Sequence, residues 1–170
     1  MEKDRIDEII QASEQRENVK ENDINIVKDF LIIEIASVFL AIQIEYLREV
    51  FDVLDRKDIA TIPFTPPYIR GIINIRGEII PVLLLSTIIG HECNDDENLK
   101  MVIIEHNKLK VGFPFFRIVD LKTIKVKELK MIKDIKRKVD NAFISEEFEA
   151  GDMNVGILDI PKLYSSEFFT

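Results

Sequence analysis

This chain of 170 residues is poor in the residue types on which most catalytic and metal sites depend. Its one cysteine, Cys93, cannot form an internal disulfide, which favours a reducing compartment. Its two histidines, His91 and His106, stand in no Ser-His-Asp, Cys-His or zinc-type pattern, and no glycine-rich phosphate loop is present. Asp95 and Asp96 could join His91 and Cys93 around a metal, but a polar loop lacks the fixed geometry of such a site. We therefore expect no catalytic residues, no cofactor and no metal.

Long apolar segments are also lacking. The longest apolar run, residues 79–85, includes a proline and is far too short to cross a bilayer. The chain begins with Met-Glu-Lys-Asp-Arg and has no apolar core behind it, unlike a secretory signal. The net charge of −8 argues against nucleic acid or an anionic membrane as a partner. We expect a cytoplasmic protein of one domain, or of two small barrels sharing a core, without direct membrane insertion.

Charge is unevenly distributed along the chain. Residues 122–138 carry eight basic side chains against Glu128 and Asp134, which gives this segment +6 and leaves −14 for the remainder of a total of −8. Such basic runs usually form only a solvent-exposed loop or helix face. The alternative is electrostatic steering toward an acidic partner surface.

Short apolar segments at regular spacing predict strands over most of the chain. Residues 1–19 instead predict an amphipathic helix, followed by a polar linker through residue 25, and residues 161–168 predict a short helix that begins with proline. Tight turns are predicted at residues 36–37 and at 107–108, where asparagine tolerates positive φ. The predicted strands are 27–35, 38–45, 45–53, two within 69–85, 101–106, 110–116, 118–126 and 153–160.

Residues 62–85, IPFTPPYIRGIINIRGEIIPVLLL, form the most informative segment. Its three leading prolines predict an extended approach. Asn74, Arg76 and Gly77 then separate two apolar runs, which predicts a hairpin with Gly77 supplying the backbone freedom of its turn. An arginine in so apolar a region needs a partner, and Glu49 is the candidate.

The residues alone leave the roles within this segment open. An Arg76–Glu49 ion pair could simply pin two strands, or it could shape a surface for a partner helix. Gly71 and Gly77 could be ordinary strand or turn glycines, although glycine also lets another backbone approach closely. Asn74 could satisfy a backbone group. The segment's other apolar residues are expected to be mostly core: Ile69, Ile73, Ile75, Ile79 and Val82.

The segment resembles the signature of CheW-type chemotaxis coupling proteins, whose domain also forms the regulatory end of the kinase CheA. Glu49 falls where that family usually carries an acidic residue, and weaker likenesses at 110–113 and 155–163 extend the resemblance over roughly residues 28–163. We divide the chain accordingly into a helix and linker (1–27), a CheW-like domain (28–163) and a C-terminal tail (164–170). The matching residues are Pro63, Pro66, Ile69, Gly71, Asn74, Arg76, Gly77, Pro81, Val82 and Leu85.

The resemblance implies an all-β fold of two packed five-stranded SH3-like barrels with a groove between them. It implies a non-enzymatic chemotaxis adaptor, recruited to membrane receptor arrays, that couples chemoreceptors (methyl-accepting chemotaxis proteins) to the histidine kinase CheA. The receptor tip would lie in the groove, the kinase regulatory domain would bind barrel to barrel, and other CheW-like domains could join in rings. Kinase contacts are implied for Ile79 and Lys130. Receptor binding is implied for Leu47, Glu49, Gly71, Asn74, Arg76 and Gly77.

Departures from the family pattern keep alternatives open. Pro114 within a predicted strand implies an edge or a bulge, and residues 143–149 are unusually acidic and aromatic. The extension before Asp29 is longer than a coupling domain needs. One alternative is a divergent CheW-like paralogue that competes for receptor or kinase without activating the kinase. Others are a ligand-binding β-barrel of another class, which the acidic charge disfavours, and an enzyme using Glu49 and the carboxylates of the 91–98 loop.

Overall fold

The computed structural model describes residues 6–8, 26–53, 56–91, 100–132 and 141–169. Besides the helical residues 6–8, they include the short α-helices α1 (Leu85–Ile88) and α2 (Ile160–Tyr164), and 3-10 turns at Ile44–Tyr46, Arg56–Asp58, Val126–Glu128 and Asn141–Phe143. The strands are β1 (Val27–Ile35), β2 (Val38–Gln43), β3 (Leu47–Asp52), β4 (Ile59–Ala60), β5 (Ile69–Ile75), β6 (Glu78–Leu83), β7 (Lys100–His106), β8 (Leu109–Phe115), β9 (Arg117–Lys125), β10 (Lys130–Met131), β11 (Ile144–Ala150) and β12 (Met153–Leu158).

The strands form two six-stranded sheets, which confirms the all-β prediction. The first sheet has the order β10-β11-β12-β2-β1-β9 and the second β3-β7-β8-β6-β5-β4. Each consists of five longer strands and one of two residues, β10 in the first sheet and β4 in the second. The chain leaves the first sheet after β2, builds the whole second sheet, and returns at β9. The second barrel is therefore an insertion within the first.

Each sheet has its own apolar core, and a third, larger core lies between them. In β1, Phe30 and Ile32 belong to the core of the first sheet, whereas Leu31 and Ile33 belong to the shared core, and all four are fully buried. Each such side chain stabilises the fold by roughly 1.5–3 kcal/mol. Because both faces of β1 are covered at residues 30–33, the sequence there is a continuous apolar run rather than an alternating one. The same division holds in β7 for Met101, Val102, Ile103 and Ile104.

Two-residue turns join the three predicted hairpins. Positive φ at both central positions is typical of type I′ turns, whose twist matches that of the flanking strands. The prediction of tight turns at 36–37, 76–77 and 107–108 is therefore confirmed. The φ values are 48° and 63° for Ala36 and Ser37, 52° and 87° for Arg76 and Gly77, and 51° and 66° for Asn107 and Lys108.

Several local predictions are wrong. The proline-rich approach is not extended, because it contains turns at residues 63–64 and 67–68. Pro114 lies at neither an edge nor a bulge, since β8 is an inner strand in regular register with β7. Its missing N–H is tolerated because the bridge from β8 to β6 is confined to Gly112 and Val82. The predicted strand 45–53 starts with a 3-10 turn, and the strands β4, β10 and β11 were not predicted.

The two ends of the described chain pack on the shared core. Residues 6–8 are helical and Ile6 is only 2% exposed, whereas the rest of the predicted N-terminal helix lies outside the described residues. Helix α2 has its proline in the first turn, as predicted, and the Asp159 side chain caps it by accepting a hydrogen bond from the backbone N–H of Lys162. Beyond α2, the ring of Phe168 packs edge-to-face on Tyr68, next to β5 of the second sheet.

Candidate functional site

The β5–β6 turn is closed by a side chain within it. The Asn74 carboxamide oxygen accepts a hydrogen bond from the backbone N–H of Gly77 at 2.9 Å. This confirms the interpretation that Asn74 satisfies a backbone group, and it explains why asparagine suits this position. The turn holds Arg76 at its tip with a fixed backbone.

Arg76 and Glu49 form the predicted ion pair. Nη2 of Arg76 lies 2.9 Å from Oε1 of Glu49, so the pair joins the β5–β6 turn to β3. The Glu49 side chain is 20% exposed and that of Arg76 is 77% exposed. Arg76 is therefore largely exposed, although the sequence around it is apolar. A pair this exposed contributes only about 0.2–1 kcal/mol to stability, whereas most of the guanidinium surface remains open to a partner.

Two of the predicted receptor-binding residues are buried. Leu47 is fully buried in the shared core, and Gly71, in β5, is buried against Ala60 of β4. A Cβ at Gly71 would lie 2.2 Å from the backbone oxygen of Ala60, and the φ of Gly71 is 148°. Both residues are therefore closed to a partner, whereas Glu49, Asn74, Arg76 and Gly77 form the outer part of a surface at the β5–β6 turn, the hairpin surface.

The two predicted kinase-contact residues lie on different sheets. Ile79 is opposite Asn74 in the β5–β6 ladder and is 59% exposed, which places it beside the receptor-binding candidates. Lys130 is in β10 of the first sheet, where its Nζ lies 2.9 Å from Oε1 of Glu149. That hydrogen bond raises the pKa of Lys130 and lowers the pKa of Glu149. The structure therefore groups Ile79 with the hairpin and leaves Lys130 in a separate location.

Further ion pairs, which sequence reasoning missed, cross neighbouring strands of the second sheet. They are Lys110–Glu78 at 2.7 Å, Lys100–Asp52 at 2.8 Å and Arg48–Glu105 at 3.1 Å. The hydrogen bond to Glu78 raises the pKa of Lys110. Glu78 directly follows Gly77, so this pair adds charge to the rim of the hairpin surface. Only strand register could have revealed these pairs, because their members lie up to 57 residues apart.

A polar cavity of about 260 Å³ lies in the first sheet, between Lys28 and Gln43 on one side and the start of α2 on the other. Among the described residues, His, Cys, Asp and Glu form no cluster able to hold a metal ion, and Cys93, Asp95 and Asp96 lie outside them. Within the same part of the chain, every helix is too short or too polar to cross a membrane.

The fold and this surface define a two-barrel β protein whose candidate site is a binding surface on a hairpin. The family described as CheW-like domain matches residues 29–168. The chain therefore belongs to the CheW-like domain family.

Individual relatives agree with this assignment. The chemotaxis protein CheW of Thermotoga maritima is 33% identical over 78 residues, which are 45% of this chain and 51%, about half, of that protein. The chemotaxis protein CheW of Klebsiella aerogenes is 23% identical over 143 residues, 82% of this chain and 83% of that protein. The crystal structure of the scaffolding protein TtCheW from Thermoanaerobacter tengcongensis has a similar fold, with a TM-score of 0.73 at 24% identity over 84% of this chain and 95% of that one.

Proposed function

We propose that this chain is a chemotaxis adaptor that couples chemoreceptors to the histidine kinase CheA. Membership of the CheW-like family supports the proposal, as do relatives named chemotaxis protein CheW and a similar structure named a scaffolding protein. The observation that carries it is the Arg76–Glu49 pair, which holds a largely exposed guanidinium at the tip of a rigid hairpin. The proposed function is one of binding, without a covalent step, in the cytoplasm at receptor arrays.

The receptor tip binds at the hairpin surface. Arg76 presents a planar set of N–H donors that suits polar groups on a helical partner, and the turn that carries it is fixed by Asn74. Glu49 orients the guanidinium from β3. Leu47 acts indirectly through the shared core, and Gly71 acts indirectly through the pairing of β4 with β5. This arrangement suits recognition of a receptor helix in the groove proposed between the two barrels.

The kinase regulatory domain binds through exposed apolar surface nearby, with Ile79 as an anchor. Ile79 is 59% exposed, so a complex can bury much of its side chain. Burial of a few central apolar residues of this kind often supplies most of the binding energy. Lys130 contributes from the first sheet, where the basic segment attracts an acidic surface.

The test is binding of the purified chain to the regulatory domain of its host's CheA and, separately, to a receptor signalling-tip fragment. We expect Arg76→Glu to lower receptor affinity at least tenfold and Ile79→Glu to lower kinase affinity at least tenfold. The matched controls are Lys108→Glu, in the exposed β7–β8 turn, and Leu109→Glu, at the exposed start of β8. Binding of the wild-type chain to neither protein would contradict the proposal.

A charge swap separates recognition from simple strand pinning. The double variant Glu49→Arg with Arg76→Glu preserves an ion pair but reverses its orientation. If the pair is a recognition element, the double variant still binds the receptor fragment poorly. Recovery of full affinity would instead show that the pair only joins β3 to the hairpin.

A further inference from the structure

The polar cavity of the first sheet lies where two neighbouring strands separate. Strands β2 and β12 pair in parallel over only two residues of each strand. Beyond these pairs β2 continues into the 3-10 turn Ile44–Tyr46, whereas β12 leads into α2. The cavity of about 260 Å³ opens between these two segments and is lined by residues of both. Because one water molecule occupies roughly 30 Å³ in the liquid, this space is large enough for a small organic molecule.

Two opposite charges without an ion-pair partner line this cavity. They are the ammonium group of Lys28, in β1, and the carboxylate of Glu146, in β11. Both side chains belong to half-buried residues, and neither forms a salt bridge with any other residue that the structure describes. A charge that is partly withdrawn from water without a partner is unfavourable, so a ligand of opposite charge at each group would stabilise both.

Hydrogen bonds hold the polar groups of the cavity in place. With its carboxamide oxygen toward Lys28, Gln43 accepts a hydrogen bond from Nζ of Lys28 at 3.2 Å, and its carboxamide nitrogen donates to Oε1 of Glu45. An ammonium group has three donors, so Lys28 retains donors for a ligand. Burial raises the pKa of Tyr46, and the nearby carboxylates of Glu45 and Asp159 raise it further. The neutral Tyr46 hydroxyl is therefore a further polar group beside these two carboxylates.

The charges of the cavity suit an organic molecule better than a metal ion. Three carboxylates, those of Glu45, Glu146 and Asp159, face the single ammonium group of Lys28, which gives the lining a net charge of −2. In the part of the chain that the structure describes, no three acidic or histidine side chains converge closely enough to hold a metal ion. The carboxylates therefore suit positive groups that are separated within one molecule, while Lys28 suits a carboxylate. A free basic amino acid carries this combination of charges.

We propose that this cavity binds a free basic amino acid, with the ligand carboxylate on Lys28 and its two positive groups on Glu146 and on the side lined by Glu45 and Asp159. The cavity belongs to the first sheet, whereas Arg76 and the β5–β6 turn belong to the second. The proposal is therefore independent of the proposed function, and the ligand leaves the hairpin surface open to a protein.

The test is calorimetric titration of the purified full chain with L-lysine and with cadaverine, which is lysine without its carboxylate. We expect L-lysine to bind at one site with a dissociation constant of about 1 mM or lower, and cadaverine to bind about fivefold more weakly. Glu146→Gln keeps the shape of the side chain and should weaken L-lysine binding about tenfold. Lys28→Met should abolish the preference for L-lysine over cadaverine. Glu149→Gln, an exposed position of β11 outside the cavity, is the matched control and should have no effect.

Melting temperatures of the ligand-free variants establish that each is folded before it is titrated. Absence of saturable binding of L-lysine up to about 20 mM would overturn the proposal. Equal affinity of the wild-type chain for L-lysine and cadaverine would contradict the role of Lys28. If Glu146→Gln bound L-lysine as well as the wild type does, or if Glu149→Gln weakened it equally, the ligand would lie outside this cavity and the proposal would fail. None of these results would affect the proposed function, which is tested with protein partners.

Discussion

Replacing Gly71 by alanine should destabilise the second barrel much more than replacing Gly77. Both glycines have positive φ, 148° and 87°, and this alone costs an alanine about 1–3 kcal/mol. They differ in their surroundings. A Cβ at Gly71 meets the backbone oxygen of Ala60 at 2.2 Å, whereas a Cβ at Gly77 has nothing within 4 Å.

The additional cost at Gly71 follows from the pairing of β4 with β5. Relieving the contact requires Ala60 to move, and β4 pairs with β5 only through Ile59–Ile73 and Ala60–Ile72. Displacing β4 exposes Ile59, which is 5% exposed in the core of the second sheet. Losing that burial costs about 1.5–3 kcal/mol, which is the expected difference between the two variants.

Urea unfolding of the two variants measures this difference. With a slope of about 2 kcal/mol per molar urea, the midpoint of Gly71→Ala should lie about 0.7–1.5 M below that of Gly77→Ala. Affinity for the receptor fragment, measured at urea concentrations at which both variants are folded, should then show whether Gly71 contributes to binding directly or only through folding. Equal midpoints would refute the reasoning, because they would mean that β4 accommodates a side chain at Gly71 without loss of packing.

Two further predictions concern the cores. Phe148 is 2% exposed and its ring centroid lies 5.6 Å from that of Phe30, so Phe148→Ala should lower the free energy of unfolding by about 3–5 kcal/mol. The surface control Phe116→Ala should lower it by less than about 0.5 kcal/mol. Similar urea midpoints for the two variants would contradict this prediction. Burial raises the pKa of Tyr164, whose hydroxyl donates a hydrogen bond to the Ile104 carbonyl at 2.9 Å. The neutral tyrosine therefore stabilises the fold fully below the ordinary pKa of 10.0, and this stabilisation is lost as the pH rises above 10.0. At pH 8 the variant Tyr164→Phe should therefore be about 1 kcal/mol less stable than the wild type in thermal unfolding. This difference in stability should become smaller above pH 10. A difference that does not change with pH would contradict the stabilising role of the neutral Tyr164 hydroxyl.

Features that depend on neighbouring residues were predictable from the sequence. The centre of β1 follows from the continuous apolar run at residues 30–33, and the 107–108 turn follows from an asparagine between two apolar segments. The Arg76–Glu49 pair was predicted because an arginine in an apolar segment needs a partner, although its exposure was not. The roles of the hairpin residues in receptor and kinase binding remain predictions.

Features set by distant contacts were harder to predict. The insertion of β3–β8 within the first sheet depends on which strands pair, and β11 depends on its pairing with β12. In β11 the buried residues Ile144, Phe148 and Ala150 do recur at even positions, but Glu146 interrupts this pattern. The turn at Phe64 was missed because proline also favours extended backbone and phenylalanine gives no signal of positive φ.

Simultaneous binding of two proteins is the most direct test of an adaptor. The host CheA regulatory domain and the receptor-tip fragment would be mixed with the full chain and the masses of the complexes determined by sedimentation. The proposed function predicts a ternary complex containing all three proteins, which forms only when this chain is present. Displacement of the kinase domain by the receptor fragment, with binary complexes only, would contradict the account and indicate a competitor rather than a coupler.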